Sequence, residues 1–223
     1  MKPLSTKIQN TETLLELGRA SVQIVHDLKN QINGLKLYAT FLRKRFETQE
    51  RPADERETIA KIIAGLERAA ADMTTLVRYG RPPDLQLHPH VDLARLLKEA
   101  MPTGQTLTYH EGEACYGEFD AEKLAEALQT ISANARAHAP ENELLSVLLR
   151  REDDENGEAF AVIEWHGLRH NPDANFFNSF AGSDALRMAL AGKVIRAHGG
   201  EVIHDAEVLR ARLPLTARMK AEG

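Results

Sequence analysis

The chemistry of this chain concentrates at His26, Asp27 and Asn30, an imidazole beside a carboxylate and one helical turn from a carboxamide. A neutral imidazole nitrogen is nucleophilic near pH 7, and a carboxylate one residue on can orient the ring or take its proton. With about 100° per residue and Leu28 set at zero, Leu14, Leu17, Ser21, Ile24, Ile32, Leu35, Ala39, Leu42 and Phe46 fall within roughly 40° of it. That is a sustained seam with near-heptad spacing. His26 and Asn30 fall on the opposite side, about 40° apart, because residues four apart are neighbours on a helix. An imidazole kept off the apolar seam is placed to react rather than to pack.

The elements that position these groups follow from the same periodicity. The spacing predicts a first helix from about Thr11 to Phe46, interrupted at Glu50-Arg51-Pro52-Ala53-Asp54. A second stripe follows at Ile59, Ile62, Ile63, Leu66, Ala70, Met73, Leu76 and Val77, and Arg81-Pro82-Pro83-Asp84 ends it. Two long helices joined by a short loop make an antiparallel hairpin. A lone hairpin cannot enclose its apolar faces, so two copies forming a four-helix bundle is the economical solution. From about His88 the texture is α/β: a helix over Val91–Met101, strands at Leu107–His110 and Ala114–Phe119, and Asp120 as N-cap of a helix through His138. Strands at Leu144–Arg150 and Ala159–Trp165 flank a turn at Asn156-Gly157. A helix over Ser183–Ala197 stops at Gly199-Gly200, and strands at Glu201–Asp205 and Val208–Leu213 close the domain.

Composition narrows the function classes. The 223 residues suit one domain of ordinary size plus a smaller one, and 43% hydrophobic with 27% charged residues is normal for a soluble globular protein. Net charge is −5 and no Lys/Arg cluster is interleaved with aromatics, which argues against nucleic-acid binding. No apolar run approaches the ~20 residues of a membrane span, and no signal-peptide core opens the sequence. The single cysteine, Cys115, precludes an intramolecular disulfide and fits a reducing cytosol. A cytoplasmic location is expected. His88 and His90, and His166 and His170, lack companions at ligand spacing, so no metal site is expected. His198 and Cys115 read as structural.

His26-Asp27-Leu28-Lys29-Asn30 resembles the phosphoacceptor motif of bacterial two-component sensor histidine kinases: His, an acidic residue, two more, then Asn or Thr. Gln31 and Ile32 stand where a Pro usually follows. The resemblance continues past the hairpin. Leu124 to Ala135 is similar to the family's N box, in which two Asn four apart hold the Mg²⁺–phosphate end of ATP; Asn134 matches the second, and Thr130 stands in place of the first. Trp165-His166-Gly167-Leu168-Arg169 is similar to the D-x-G-x-G box, whose Asp reads the adenine amino group. Gly167 survives, while Trp165 replaces the Asp and Arg169 the second Gly. Phe177-Asn178-Ser179-Phe180 resembles the F box. Ser183 to Gly200 aligns without a gap to the family's GTGLGL…AHGG stretch, with Ser183, Ala185 and Arg187 at the three phosphate-loop glycines. Such a loop depends on Gly for positive φ or close approach to phosphate. The resemblance therefore implies a scaffold kept and a nucleotide site dismantled, with Trp165 filling the adenine volume.

The implied fold is a helical hairpin over 1–82 dimerising into a four-helix bundle that carries histidine phosphotransfer, a linker over 83–90, and a histidine-kinase-type α/β sandwich, ATPase-like, over 91–223. The implied activity is reversible phosphoryl exchange between His26 and the Asp of a response-regulator receiver, with Asp27 assisting. Asn30 resembles the residue that positions water in the family's phosphatases. No cofactor of its own is expected: Mg²⁺ would come with the receiver, and ATP would not bind productively. An upstream histidine kinase is a further expected partner. Leu37 and Phe41 project about 180° and 220° from the seam, on the His26 side. They are either buried against the second helix or form a patch where a receiver docks. Phosphatase activity, an active kinase with a divergent pocket, and a non-catalytic module that sequesters a receiver or kinase remain alternatives.

Overall fold

The computed structural model describes residues 25, 28–47, 53–101, 105–109, 115–140, 145–169, 176–180, 182–205 and 207–216. The chain divides into two compact units, Met1–Pro82 and Pro83–Gly223.

The first unit holds helix α1 at 28–47 and helix α2 at Ala53–Gly80. Asp54 and Glu55 lie in the first turn of α2 and Arg78 in its last, so each charge meets the helix end of opposite partial charge. Ala39 of α1 packs with Ile59 and Ile63 of α2, flanked by Phe46 and Leu66, and Lys36 bridges to Glu67 at 2.9 Å. The contact is thin. Leu28, Leu35 and Leu42 of the α1 seam remain 42%, 55% and 48% exposed, and Ile62 of α2 50%.

The second unit is a two-layer α/β sandwich. Its elements are β1 (His88–Asp92), α3 (Leu93–Ala100), β2 (Gln105–Tyr109), β3 (Tyr116–Phe119), α4 (Ala121–His138), β4 (Leu145–Asp153), β5 (Ala159–His166), α5 (Ser183–Ala197), β6 (Glu201–Asp205) and β7 (Val208–Pro214). One sheet runs β2-β4-β5-β7-β6, and β1 and β3 form a separate pair. β2 lies parallel to β4, and the remaining pairs are antiparallel. Alternation along the strands sends Val147, Leu149, Ala161, Ile163, Trp165, Leu209, Ala211 and Leu213 into one core with Leu97 of α3, Leu124, Leu128 and Ile131 of α4, and Met188 and Ile195 of α5.

The opposite sheet face carries charge. Glu164 is buried there between Arg210 at 2.7 Å and Arg150 at 3.4 Å. Burial pushes its carboxyl up, but the hydrogen bond and charge of Arg210 and then those of Arg150 outweigh this and hold it below the ordinary value. Arg212 lies over the Phe160 ring, 3.5 Å from the centroid.

Local signals explain most boundaries. Asp120 caps α4, its Oδ1 accepting the Lys123 N–H at 3.0 Å. Gly199 adopts φ 76° behind α5, and a Cβ on Gly200 would sit 2.4 Å from the Arg212 carbonyl oxygen. A side chain is strained at Gly199 by its positive φ and blocked at Gly200 by backbone. The helix expected from Val91 begins at Leu93, because Asp92 is its cap, accepting from Ala94 N–H at 3.0 Å and Arg95 N–H at 3.3 Å. The residues before it form β1, so the stretch read as a linker over 83–90 ends in a strand. β1 pairs with β3 through a register shift between His88 and Val91, where His90 takes φ 59°. The strand expected at Leu107–His110 runs over Gln105–Tyr109, and the one expected at Ala114–Phe119 is shorter, Tyr116–Phe119.

Candidate functional site

His26 and Asp27 lie outside the described residues. Helix α1 is described from Leu28 onward, and Asn30 sits on it exposed. Leu37 is 55% and Phe41 62% exposed, so in the single chain neither packs away against α2. Tyr38, a further ring on the same helix, is 68% exposed. The signal for it was its i,i+3 spacing to Phe41, which makes the two rings neighbours on the helix surface.

In the second unit the matched positions gather around α4. Thr130 turns its hydroxyl back to the Glu126 carbonyl at 2.9 Å, as a Ser or Thr inside a helix commonly does. Asn134, one turn on, has a buried Oδ1 without a hydrogen-bond partner, while its carbonyl meets His138 Nδ1 at 2.9 Å. Trp165, next to last in β5, is fully buried. Its indole N–H donates to Ser132 Oγ at 3.0 Å. Ser132 is itself fully buried on α4, and its clue in the sequence was a hydroxyl inside an otherwise apolar helix face.

Gly167 follows β5 with φ 92°, the left-handed region that favours glycine. The exposed Arg169 then pins its backbone N–H to the His138 carbonyl at 3.0 Å. Phe176 sits edge-on to His138 and His204, with centroids 4.8 Å and 4.6 Å away. Phe177 is buried beneath Gly192.

Ser183, Ala185 and Arg187 all lie within α5, behind a Gly182 cap with φ 100° and no side-chain hydrogen bond. Arg187 folds onto Asp184 at 2.6 Å. A carboxylate in the first turn already complements the positive helix end. Among the described residues no group of three or more His, Cys, Asp or Glu is placed to hold a metal ion. Among them, too, no helix is long and apolar enough to cross a membrane.

No family model and no curated protein matches the sequence. Solved structures do match. The full-length ShkA structure in complex with AMPPNP superposes with a TM-score of 0.62 at 18% identity, over 87% of this chain and 45% of that one. The Acinetobacter baumannii histidine kinase AdeS superposes with a TM-score of 0.53 at 12% identity, over 82% of this chain and 96% of that one. The chain has the histidine-kinase fold. It spans less than half the length of ShkA. The described helical hairpin comes first in the chain and the α/β sandwich second, with Trp165 in the sandwich.

Proposed function

We propose that this chain is a histidine-kinase-like signalling protein that exchanges phosphoryl groups between His26 and the aspartate of a response-regulator receiver, without productive ATP binding of its own. The observation that carries the reading is Trp165, fully buried and hydrogen-bonded to Ser132 at the position where the resemblance puts the adenine-reading Asp. The residues present do not fit a nucleotide. At the matched position an indole stands in place of the carboxylate that reads adenine, and the Asp184 carboxylate stands in the first turn of the helix whose N-terminus would meet phosphate. A sandwich without the residues that read a nucleotide leaves the hairpin to act on phosphate that arrives from elsewhere.

The step balances on His26 alone. The unprotonated ring nitrogen attacks phosphorus, and the N–P bond forms as the bond from phosphorus to the receiver carboxylate breaks. The carboxylate leaves with the electron pair. Asp27 takes or holds the proton on the other ring nitrogen. Phosphoryl transfer rests mainly on positioning and charge neutralisation, and the Mg²⁺ that neutralises charge belongs to the receiver in this reading. The exposed Asn30 favours a second reading, a phosphatase in which the carboxamide positions water. Incubation with a ³²P-phosphorylated receiver separates the two: exchange leaves label on the chain, whereas a phosphatase releases it as inorganic phosphate.

Two further results are expected. Titration with millimolar Mg-ATP gives no binding heat; micromolar affinity by calorimetry would restore the kinase reading. A second copy of the chain covers the exposed Leu28, Leu35, Leu42 and Ile62, so the protein sediments as a dimer at tens of micromolar. Leu35→Asp leaves the hairpin folded, since that side chain is 55% exposed in the single chain, but it buries an unpaired carboxylate in the bundle and yields monomer. Monomeric wild-type protein at that concentration removes the bundle.

A further inference from the structure

Three segments far apart in sequence are linked in series through Asp120 and one buried imidazole, a connection that phosphotransfer does not use. His198 ends α5 and is buried. Its Nδ1 lies 2.8 Å from the Val194 carbonyl, which can only accept, so Nδ1 carries the proton. Nε2 is then a lone pair, and it accepts the backbone N–H of Asp120 at 3.1 Å. Asp120 in turn holds the first residues of the second unit. Its Oδ2 accepts the Gln86 backbone N–H at 2.9 Å and the Lys123 ammonium at 2.9 Å. Lys123 also donates to the Asp84 carbonyl.

We propose that His198 is the proton-sensitive pin of a latch that fastens Asp84–Gln86 to the N-terminus of α4. The charged groups facing the ring are Asp120 and Lys123 of α4; Val194 faces it from α5 through its carbonyl, and Phe119 of β3 through its ring, with centroids 5.9 Å apart. A second proton on Nε2 sets two N–H donors against each other in a buried site. The new cation draws the Asp120 carboxylate, the nearest anion, away from Gln86. The linker strap then loses its anchor.

The direction of the pH effect follows from the surroundings. Burial lowers the His198 pKa below the ordinary 6.5; the Val194 carbonyl and Asp120 raise it, Lys123 lowers it, and burial prevails. A ring freed by unfolding therefore binds its proton at higher pH than the folded ring. The latch is complete above pH 6.5 and is lost as pH falls through the folded value.

The test uses the full chain and follows amide exchange at Gln86 as a protection factor, which removes the intrinsic pH dependence of exchange. Protection should fall roughly tenfold or more as pH is lowered from about 7.5 through the titration of the His198 ring, with a midpoint equal to that of the ring read by NMR. His198→Gln offers an amide oxygen to Asp120 N–H and cannot titrate, so its protection should stay level. Asp120→Asn keeps the helix cap but presents an NH₂ where Oδ2 accepted, so Gln86 should be open at both pH values. The latch is overturned by wild-type protection that does not change, by an equal fall in His198→Gln, or by an unchanged value in Asp120→Asn. Should His198→Gln fail to fold, a mismatch between the ring and Gln86 midpoints in the wild type overturns it as well.

Discussion

His26→Ala is expected to abolish the acquisition of label from a phosphorylated receiver while leaving the chain folded and dimeric. The loss should be complete within detection. Asn30 cannot carry a phosphoryl group, Asp27 in this reading serves the proton on the ring, and no other side chain on that helix face supplies an unprotonated nitrogen near pH 7. By helical projection His26 points away from the Leu28–Leu35–Leu42 seam, so no seam contact is removed and sedimentation should not change. Asn30→Ala should behave differently. A carboxamide can position water but cannot carry a phosphoryl group, so the variant should still acquire label and should lose it to water more slowly. If label moves equally well without His26, exchange is wrong. If neither the wild type nor His26→Ala acquires label, a receiver-binding role without transfer takes its place, and binding should persist in His26→Ala but weaken in Phe41→Ala, whose ring is 62% exposed.

What the sequence made legible was what short-range physics writes into it. The bounds of α5 follow from a helical run closed by Gly199-Gly200, and the start of α4 follows from Asp120 as a cap. The β4–β5 hairpin was readable from the polar stretch around Asn156-Gly157, where Asp154 Oδ1 accepts the N–H groups of Asn156 at 2.9 Å and Glu158 at 2.8 Å. Long-range contacts left no such mark. His88-Pro89-His90 has the look of a linker, and it forms a strand only because β3 offers a partner. Ser132 reads as a minor irregularity in a helix until Trp165, 33 residues later in the chain, is found donating to it. His198 could be read as structural. Its specific task, accepting the Asp120 N–H from 78 residues away, could not. For Leu37 and Phe41 the sequence left two outcomes open, because burial depends on where α2 lies; both side chains point away from it in the single chain.

The second large effect is expected at Trp165, and it tests whether the second unit is a filled scaffold. Trp165→Ala removes a fully buried indole from a core that also holds Val147 and Leu209 on the flanking strands. Large-to-small changes of this kind cost about 3–5 kcal/mol. Losing the indole N–H to Ser132 adds about 1 kcal/mol. At about 2–4 °C per kcal/mol for a chain of this length, the melting temperature of the second unit should fall by roughly 10–20 °C. Trp165→Phe isolates the two contributions: it keeps a ring in the cavity, so its cost should be about 1–2 kcal/mol. In a cycle with Ser132→Ala its effect should be non-additive, because both changes delete the same hydrogen bond. Trp165→Asp places the adenine-reading residue of the resemblance back at its position. Nucleotide should still not bind, because Ser183, Ala185 and Arg187 remain within α5 and Asp184 still occupies its first turn. A Trp165→Ala variant that melts within a degree or two of the wild type would mean the indole is not filling the core. A Trp165→Asp variant that binds Mg-ATP would mean that one aromatic residue, rather than the whole phosphate end, stands between this fold and the nucleotide.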